Sequence, residues 1–418
     1  MKRELIDSNI EWLGKIPTNW IVQPLKRVIN ERNELNKSEK ETFLLSLTIQ
    51  DGIIPYSEKN GGGNKAKEDI SKYKIVKKND IVINSMNVVV GASGISKYDG
   101  LVSPVYYVFS ETNKSCGRFY NYLFLNQTFE NHLFGLGNGI LVKINEDNGK
   151  MNTIRKKIPI DKLKNEFVPV PPLEEQIKIA SYLENKVSLI DETIENNKKE
   201  IELLEEYKKN IFSDVIKEYN FKNYKLKYLI NKKLQYGANS SGVVYRDDLP
   251  RYVRITDILN NTLKEQDKLS LQEDEAKDFI LKDGDILFAR SGGTVGKSFM
   301  YENKFGRCAF AGYLIRASFN NKELAQYVYN FTNSVLYEKW KNSIFIQSTI
   351  QNIGADKYSN MLIPIPIDFD NVVRVNNKIN KIIIKLDKVI KYRNQIIEKL
   401  EEYKKSLIYE AVTGKIEV

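Results

Sequence analysis

The stretch Leu204-Glu-Glu-Tyr-Lys-Lys209 recurs, residue for residue, as Leu400-Glu-Glu-Tyr-Lys-Lys405, 196 positions later. An identical hexapeptide at that distance points to duplication, and its surroundings extend the match. Val168-Pro-Val-Pro171 answers Ile363-Pro-Ile-Pro366, each just ahead of a long helical pattern. Further upstream, Asn79-Asp-Ile-Val-Ile-Asn-Ser85 answers Gly284-Asp-Ile-Leu-Phe-Ala-Arg290, and Val90-Gly91 answers Val295-Gly296, now at an offset of 205. Loops of unequal length account for the drift. Each half therefore reads as a mixed segment of short strands and turns, a Pro-x-Pro stop, and one long amphipathic helix.

The helices carry a coiled-coil pattern. In the first, apolar residues fall on a seven-residue beat at Leu173, Ala180, Val187, Ile194 and Ile201, with Ile177, Leu183, Ile190, Leu204 and Ile211 at the alternate steps. The second repeats the beat with Ile379, Ile383, Leu386, Ile390, Ile397, Leu400, Leu407 and Ala411. Acids at each start (Glu174 and Glu175; Asp368 and Asp370) suit a helix N-terminus, and neither helix contains Gly or Pro. A stripe this narrow on a helix about 65 Å long cannot cover itself, so the two helices are expected to pair.

Composition bounds the function. The 418 residues are 42% hydrophobic and 28% charged, enough for more than one core. Lys and Arg number 64 against 54 Asp and Glu, a formal +10 that suits a polyanionic partner. Residues 173–217 hold 7 Lys/Arg and 11 Asp/Glu, and residues 368–413 hold 10 and 7, so the excess lies in the strand-rich segments. Cys116 and Cys308 are too few for a disulfide framework or a zinc site. Neither a signal-peptide core nor an apolar run long enough for a membrane span is evident, and a cytoplasmic protein with no membrane partner is expected.

Ala289-Arg-Ser-Gly-Gly-Thr-Val-Gly-Lys-Ser-Phe299 looks like a phosphate loop, but the spacing fails. A phosphate loop needs Gly, four residues, then Gly-Lys-Ser or Gly-Lys-Thr opening a helix. Here Ser291 stands where the first glycine belongs, and Phe299-Met-Tyr-Glu-Asn303 reads as strand and turn. The one histidine, His132, sits among apolar neighbours and reads as packed. No Asn-Pro-Pro-Tyr, Gly-rich methyl-donor loop or carboxylate cluster suggests catalysis.

Several segments resemble the specificity subunit of type I restriction–modification systems, over essentially the whole chain. These are Glu11-Trp-Leu-Gly-Lys-Ile-Pro-Thr-Asn-Trp20 with Pro24-Leu-Lys, Ile81-Val-Ile-Asn84 leading to Tyr98-Asp-Gly-Leu-Val-Ser-Pro104, and Phe288 to Lys297. Ser348-Thr-Ile-Gln-Asn352, Pro171-Pro-Leu-Glu-Glu-Gln176 and Ala411-Val-Thr-Gly-Lys-Ile416 add to them. One departure stands out: the second helix opens Ile367-Asp-Phe-Asp-Asn371, not Pro-Leu-Glu-Glu-Gln.

The resemblance implies an α+β protein of two similar strand-rich target-recognition domains, joined by two long helices that pair as an antiparallel coiled coil with an internal pseudo-two-fold repeat. The expected boundaries are 1–172 and 219–367 for the recognition domains, and 173–218 and 368–418 for the helices. Each domain would read one half of a bipartite double-stranded DNA target, with the helices setting the spacer. Two methyltransferase subunits would bring S-adenosylmethionine, and restriction subunits ATP and Mg²⁺; this chain would bind no cofactor and catalyse nothing. A two-headed coiled-coil adaptor for nucleic acid or protein is the alternative.

Base reading needs Arg, Lys, Asn, Gln and hydroxyls on turns. The candidates in the second half are Tyr236, Ser240, Ser241, Arg246, Arg290, Ser291, Thr294, Lys297, Gln347 and Thr349. In the first half they are Asn60, Asn64, Lys65, Asn84, Met86, Asn87, Lys143 and Arg155. Arg290 leads, because Ser291-Gly-Gly293 beside it lets a base or phosphate approach without crowding.

Overall fold

The computed structural model describes residues 3–37, 40–48, 51–59, 69–86, 92–137, 157–259, 261–346 and 352–418. The chain divides into two compact units. Met1–Asn196 with Gln395–Val418 forms the first, and Asn197–Asn394 the second.

In the first unit an antiparallel sheet runs in the order Asn30–Glu31, Tyr106–Ser110, Ile81–Asn84, Ser93–Ile95. Ile-Val-Ile reads as a continuous apolar run because both faces of its strand are covered, and alternate side chains enter different cores. Ile81 and Ile83 join Tyr107 and Phe109 in a core with Phe119, Phe124 and Phe129 of the helices Gly117–Phe124 and Gln127–Leu136. Val82 and Val108 face the other way, onto Leu45, Leu47, Ile53 and Val76.

The second unit repeats this plan with the sheet Gln235–Tyr236, Leu314–Ala317, Ile286–Ala289, Ser298–Met300. Ile286, Phe288 and Ile315 enter one core with Tyr327 and Phe331, while Leu287, Leu314 and Phe299 enter another.

The repeated Asn79-Asp80 and Gly284-Asp285 mark the same turn. Asn79 has φ 71° and Gly284 φ 87°, the left-handed region that Asn and Gly enter most readily. The following Asp is buried in both and accepts from the backbone N–H three residues back: Lys77 to Asp80 at 2.8 Å, Lys282 to Asp285 at 2.9 Å. Two sequences that share few identities thus share a backbone requirement.

The long helices are Leu173–Ile216 and Phe369–Val412, each 44 residues. Within the second unit Arg393 pairs with Glu200, Lys208 with Asp387 at 2.7 Å, and Lys378 with Glu218. One helix ascends as the other descends, so they are antiparallel. Ile211, Phe212 and Val215 of the first helix and Val372, Val375 and Ile379 of the second run into that unit's main core. In the first unit Lys404 reaches Asp191 at 2.7 Å, and Ile190, Ile194, Leu407, Ile408 and Ala411 share one core.

The beat departs from expectation at the start of the first helix. Leu173 and Ile177 are 37% and 43% exposed, and the seam step falls on Gln176, which is fully buried. Gln176 Oε1 accepts from Cys116 N at 2.9 Å and its Nε2 donates to Pro171 O at 2.8 Å. A polar residue occupies this apolar position because it closes backbone groups that burial cuts off from water. In the second helix the equivalent position is Val372, and the polar anchor moves one turn on. Asn376 there receives Asn330 Nδ2 at 3.0 Å and donates to Glu323 O at 2.8 Å. Asp368 caps this helix by accepting from Asp370 N at 3.1 Å.

Three of the sequence signatures meet in the first unit. Trp20 Nε1 donates to Glu175 Oε2 at 3.0 Å, Arg3 pairs with the same carboxylate, and Gly414 (φ 71°) lies against Pro17 and Trp20. A Cβ on Gly414 would stand 2.5 Å from Pro17 Cδ.

Glu130 is 6% exposed, and burial pushes its carboxyl up to about 7. Gln127 Nε2 donates to it at 3.2 Å. A carboxyl raised in this way favours the protonated folded state. Its contribution is complete below the unfolded value of about 4.3 and is lost as pH rises through about 7. Glu130→Gln should therefore stabilise the protein at pH 8 by on the order of 2 kcal/mol and leave it little changed at pH 4, read as melting temperature at both. An equal shift at the two pH values would refute the titration.

Candidate nucleic-acid interface

The loop that resembled a phosphate loop is a hairpin turn. Ala289 N donates to Lys297 O at 2.8 Å, Gly296 N to Ala289 O at 2.9 Å and Val295 N to Gly292 O at 3.0 Å. The chain then continues as the strand Ser298–Met300, so no helix N-terminus is offered to a phosphate. Among the described residues no three His, Cys, Asp or Glu side chains gather as metal ligands, and no helix is long and apolar enough to cross a membrane.

Arg290 follows the strand Ile286–Ala289, whose residues are all buried, so its backbone is fixed from below. Its N–H donates to Tyr313 O at 3.1 Å and its carbonyl accepts from Ile353 N at 2.9 Å. The guanidinium lies over the Tyr236 ring, 4.9 Å from the centroid, and its buried Nε has no hydrogen-bond partner among the described residues. Tyr236 is held in turn, because its hydroxyl accepts from Ala355 N at 3.0 Å. Stacking therefore orients the guanidinium without using its donors. Ser291 bridges to Asn352. A Cβ on Gly292 or Gly293 would meet nothing within 4 Å, so the crown of the turn is open.

Thus Tyr236, Arg290 and Ser291 come together, with Thr294 and Lys297 in the same turn. Ser240 is tied in through its carbonyl, which accepts from Tyr252 Oη at 3.0 Å, and Ser241 is exposed. Arg246 is occupied: Asp248 takes both its Nε at 3.0 Å and its Nη2 at 2.6 Å. In the first unit Asn84 Oδ1 accepts from Met86 N at 3.1 Å, and both residues are half-buried. Asn60, Asn64, Lys65, Asn87, Lys143, Arg155, Gln347 and Thr349 lie outside the described residues.

A groove of about 530 Å³ adjoins Tyr236 through Ala355 and is lined by Lys227, Tyr228, Lys232, Lys233 and Asp356. These lysines are not among the candidates that residue type on turns singles out; the adjacent pair Lys232-Lys233 is their one signal in the sequence. Two further aromatic side chains, Tyr228 and Tyr313, are 70% and 64% exposed.

The type I restriction modification DNA specificity domain matches this chain twice, over residues 21–206 and 220–402. No curated protein matches it by sequence. Among solved structures, a chain from a study of the complex assembly and conformational transition of the type I R-M system superposes with a TM-score of 0.73 at 13% identity. That match covers 96% of this chain and 99% of the other. The HsdS subunit from Thermoanaerobacter tengcongensis superposes with a TM-score of 0.53 at 12% identity, covering 96% of this chain and 98% of that one. At such identities the structures speak for the fold, and the doubled domain match carries the family. The chain belongs to the type I restriction modification DNA specificity family, as a non-catalytic DNA-specificity subunit with two copies of the domain.

Proposed function

We propose that the second unit reads one half of a split DNA target through the Arg290 turn, and the first unit reads the other half through the segment that follows Ile81–Asn84 in the sequence. The observation that carries this is the Arg290 guanidinium, stacked on Tyr236 with a buried Nε unpartnered among the described residues. A bidentate donor held this way matches the O6 and N7 acceptors of guanine in the major groove. Lys227, Lys232 and Lys233 supply the cations that phosphates require. Ser291, Thr294, Lys297, Ser240 and Ser241 stand in the same reading surface; Arg246 joins it only by leaving Asp248.

The paired helices set the unread spacer, since half-sites about 34 Å apart need a separator of fixed register. Two methyltransferase subunits dock on this chain with S-adenosylmethionine, and restriction subunits supply ATP and Mg²⁺. The recognition domains span 1–172 and 219–367.

The test is competition. Once methylated adenines in the host genome define the target, a duplex carrying both halves should outcompete a scrambled one by about 10³-fold or more in gel shifts. Equal competition would instead favour an adaptor that binds without sequence choice.

A further inference from the structure

The helix seam is written almost identically in the two halves. At an offset of 196, Ile194 answers Ile390, Ile201 answers Ile397, and Leu204 answers Leu400. The flanking ion pairs are also one pair written twice, because Asp191–Lys404 becomes Asp387–Lys208 under the same offset. Such a seam cannot tell its own partner helix from a second copy of itself. In a homotypic pairing the same isoleucines, leucines, aspartates and lysines would meet.

One position breaks the equivalence. Asn197 on the first helix is 8% exposed, and its counterpart is Arg393. Arg393 Nη1 donates to Asn197 Oδ1 at 2.9 Å, and Nη2 pairs with Glu200, whose own counterpart is Ile396. Only this arrangement gives Arg393 Nη1 and Nη2 their acceptors, while Nε has no hydrogen-bond partner among the described residues. Two copies of the second helix would set Arg393 against Arg393 with isoleucine in place of the carboxylate. Two copies of the first would leave Glu200 without a guanidinium. A shift of one heptad would set the arginine against an apolar step.

We propose that Asn197, Glu200 and Arg393 form a pairing lock, which makes the first long helix pair with the second in one register and rejects the pairing of like helices from two copies of the chain. A polar residue in an apolar seam costs stability and returns specificity. The gain here is that both recognition units belong to one polypeptide, so its two different half-sites stay paired.

The test uses the full chain. The wild type should sediment as one chain at every concentration. Asn197→Leu with Arg393→Leu should melt no lower than wild type, yet shift with rising concentration from the mass of one chain to that of two. Arg393→Glu should associate in the same way, and adding Glu200→Arg should restore the single chain. The proposal fails if the leucine pair stays a single chain throughout, if the charge swap does not restore what Arg393→Glu loses, or if the wild type itself is a dimer.

Discussion

Trp20→Ala is expected to lower the stability of the first unit by about 3–5 kcal/mol, a large fraction of a typical domain's total. Trp20 is 2% exposed, meets the Phe119 ring edge-on at 6.3 Å and carries the Arg3 guanidinium at 5.3 Å from its centroid. Removing the indole opens a cavity that Gly414 and Pro17 line from the other side. It also takes from Glu175 the Nε1–H donor at 3.0 Å. Trp20→Phe separates the two effects. Packing dominates if phenylalanine recovers most of the loss; the hydrogen bond alone is worth about 1.5–3 kcal/mol because its acceptor is charged. Chemical denaturation of the full chain reads both variants. A Trp20→Ala loss below about 1 kcal/mol would contradict the placement of this residue at the junction of the chain's two ends and the first long helix.

The seam and the duplication were legible because they are periodic and local. A heptad beat needs only spacing, and Leu204 to Lys209 against Leu400 to Lys405 needs only identity. Gln176 was not legible. Its burial depends on the Cys116 backbone 60 residues away, so spacing alone carries the beat through Ile177, whose side chain is 43% exposed. Glu130 likewise reads as a surface acid on a helix, and only the fold shows it buried. In the candidate interface, residue type singled out Tyr236 and Arg290 separately. Their stacking joins residues 54 positions apart, Tyr236 on one strand flanking Leu314–Ala317 and Arg290 just past the other, a relation no local pattern encodes. Arg246 shows the reverse: its composition fits DNA reading, but a carboxylate two residues on already holds its fork.

Arg290→Ala should weaken binding of the full bipartite duplex roughly tenfold to a hundredfold, the cost of about 1–3 kcal/mol for one bidentate base contact. The loss should vanish when the second unit's half-site is scrambled, because the mutant and wild type then bind with the same remaining contacts. Arg290→Lys discriminates further. Lysine keeps the charge but not the planar fork or its stacking on Tyr236, so a base-reading role predicts a loss close to that of alanine. A phosphate role predicts near-recovery instead. Lys232→Ala gives the contrasting pattern of a phosphate contact, with weaker binding to specific and scrambled duplexes alike and a salt dependence shallower by about one unit. If Arg290→Ala weakened both duplexes equally, the turn would be holding the backbone of the DNA, and the bases would have to be read by the hydroxyls of Ser291 and Thr294 around it.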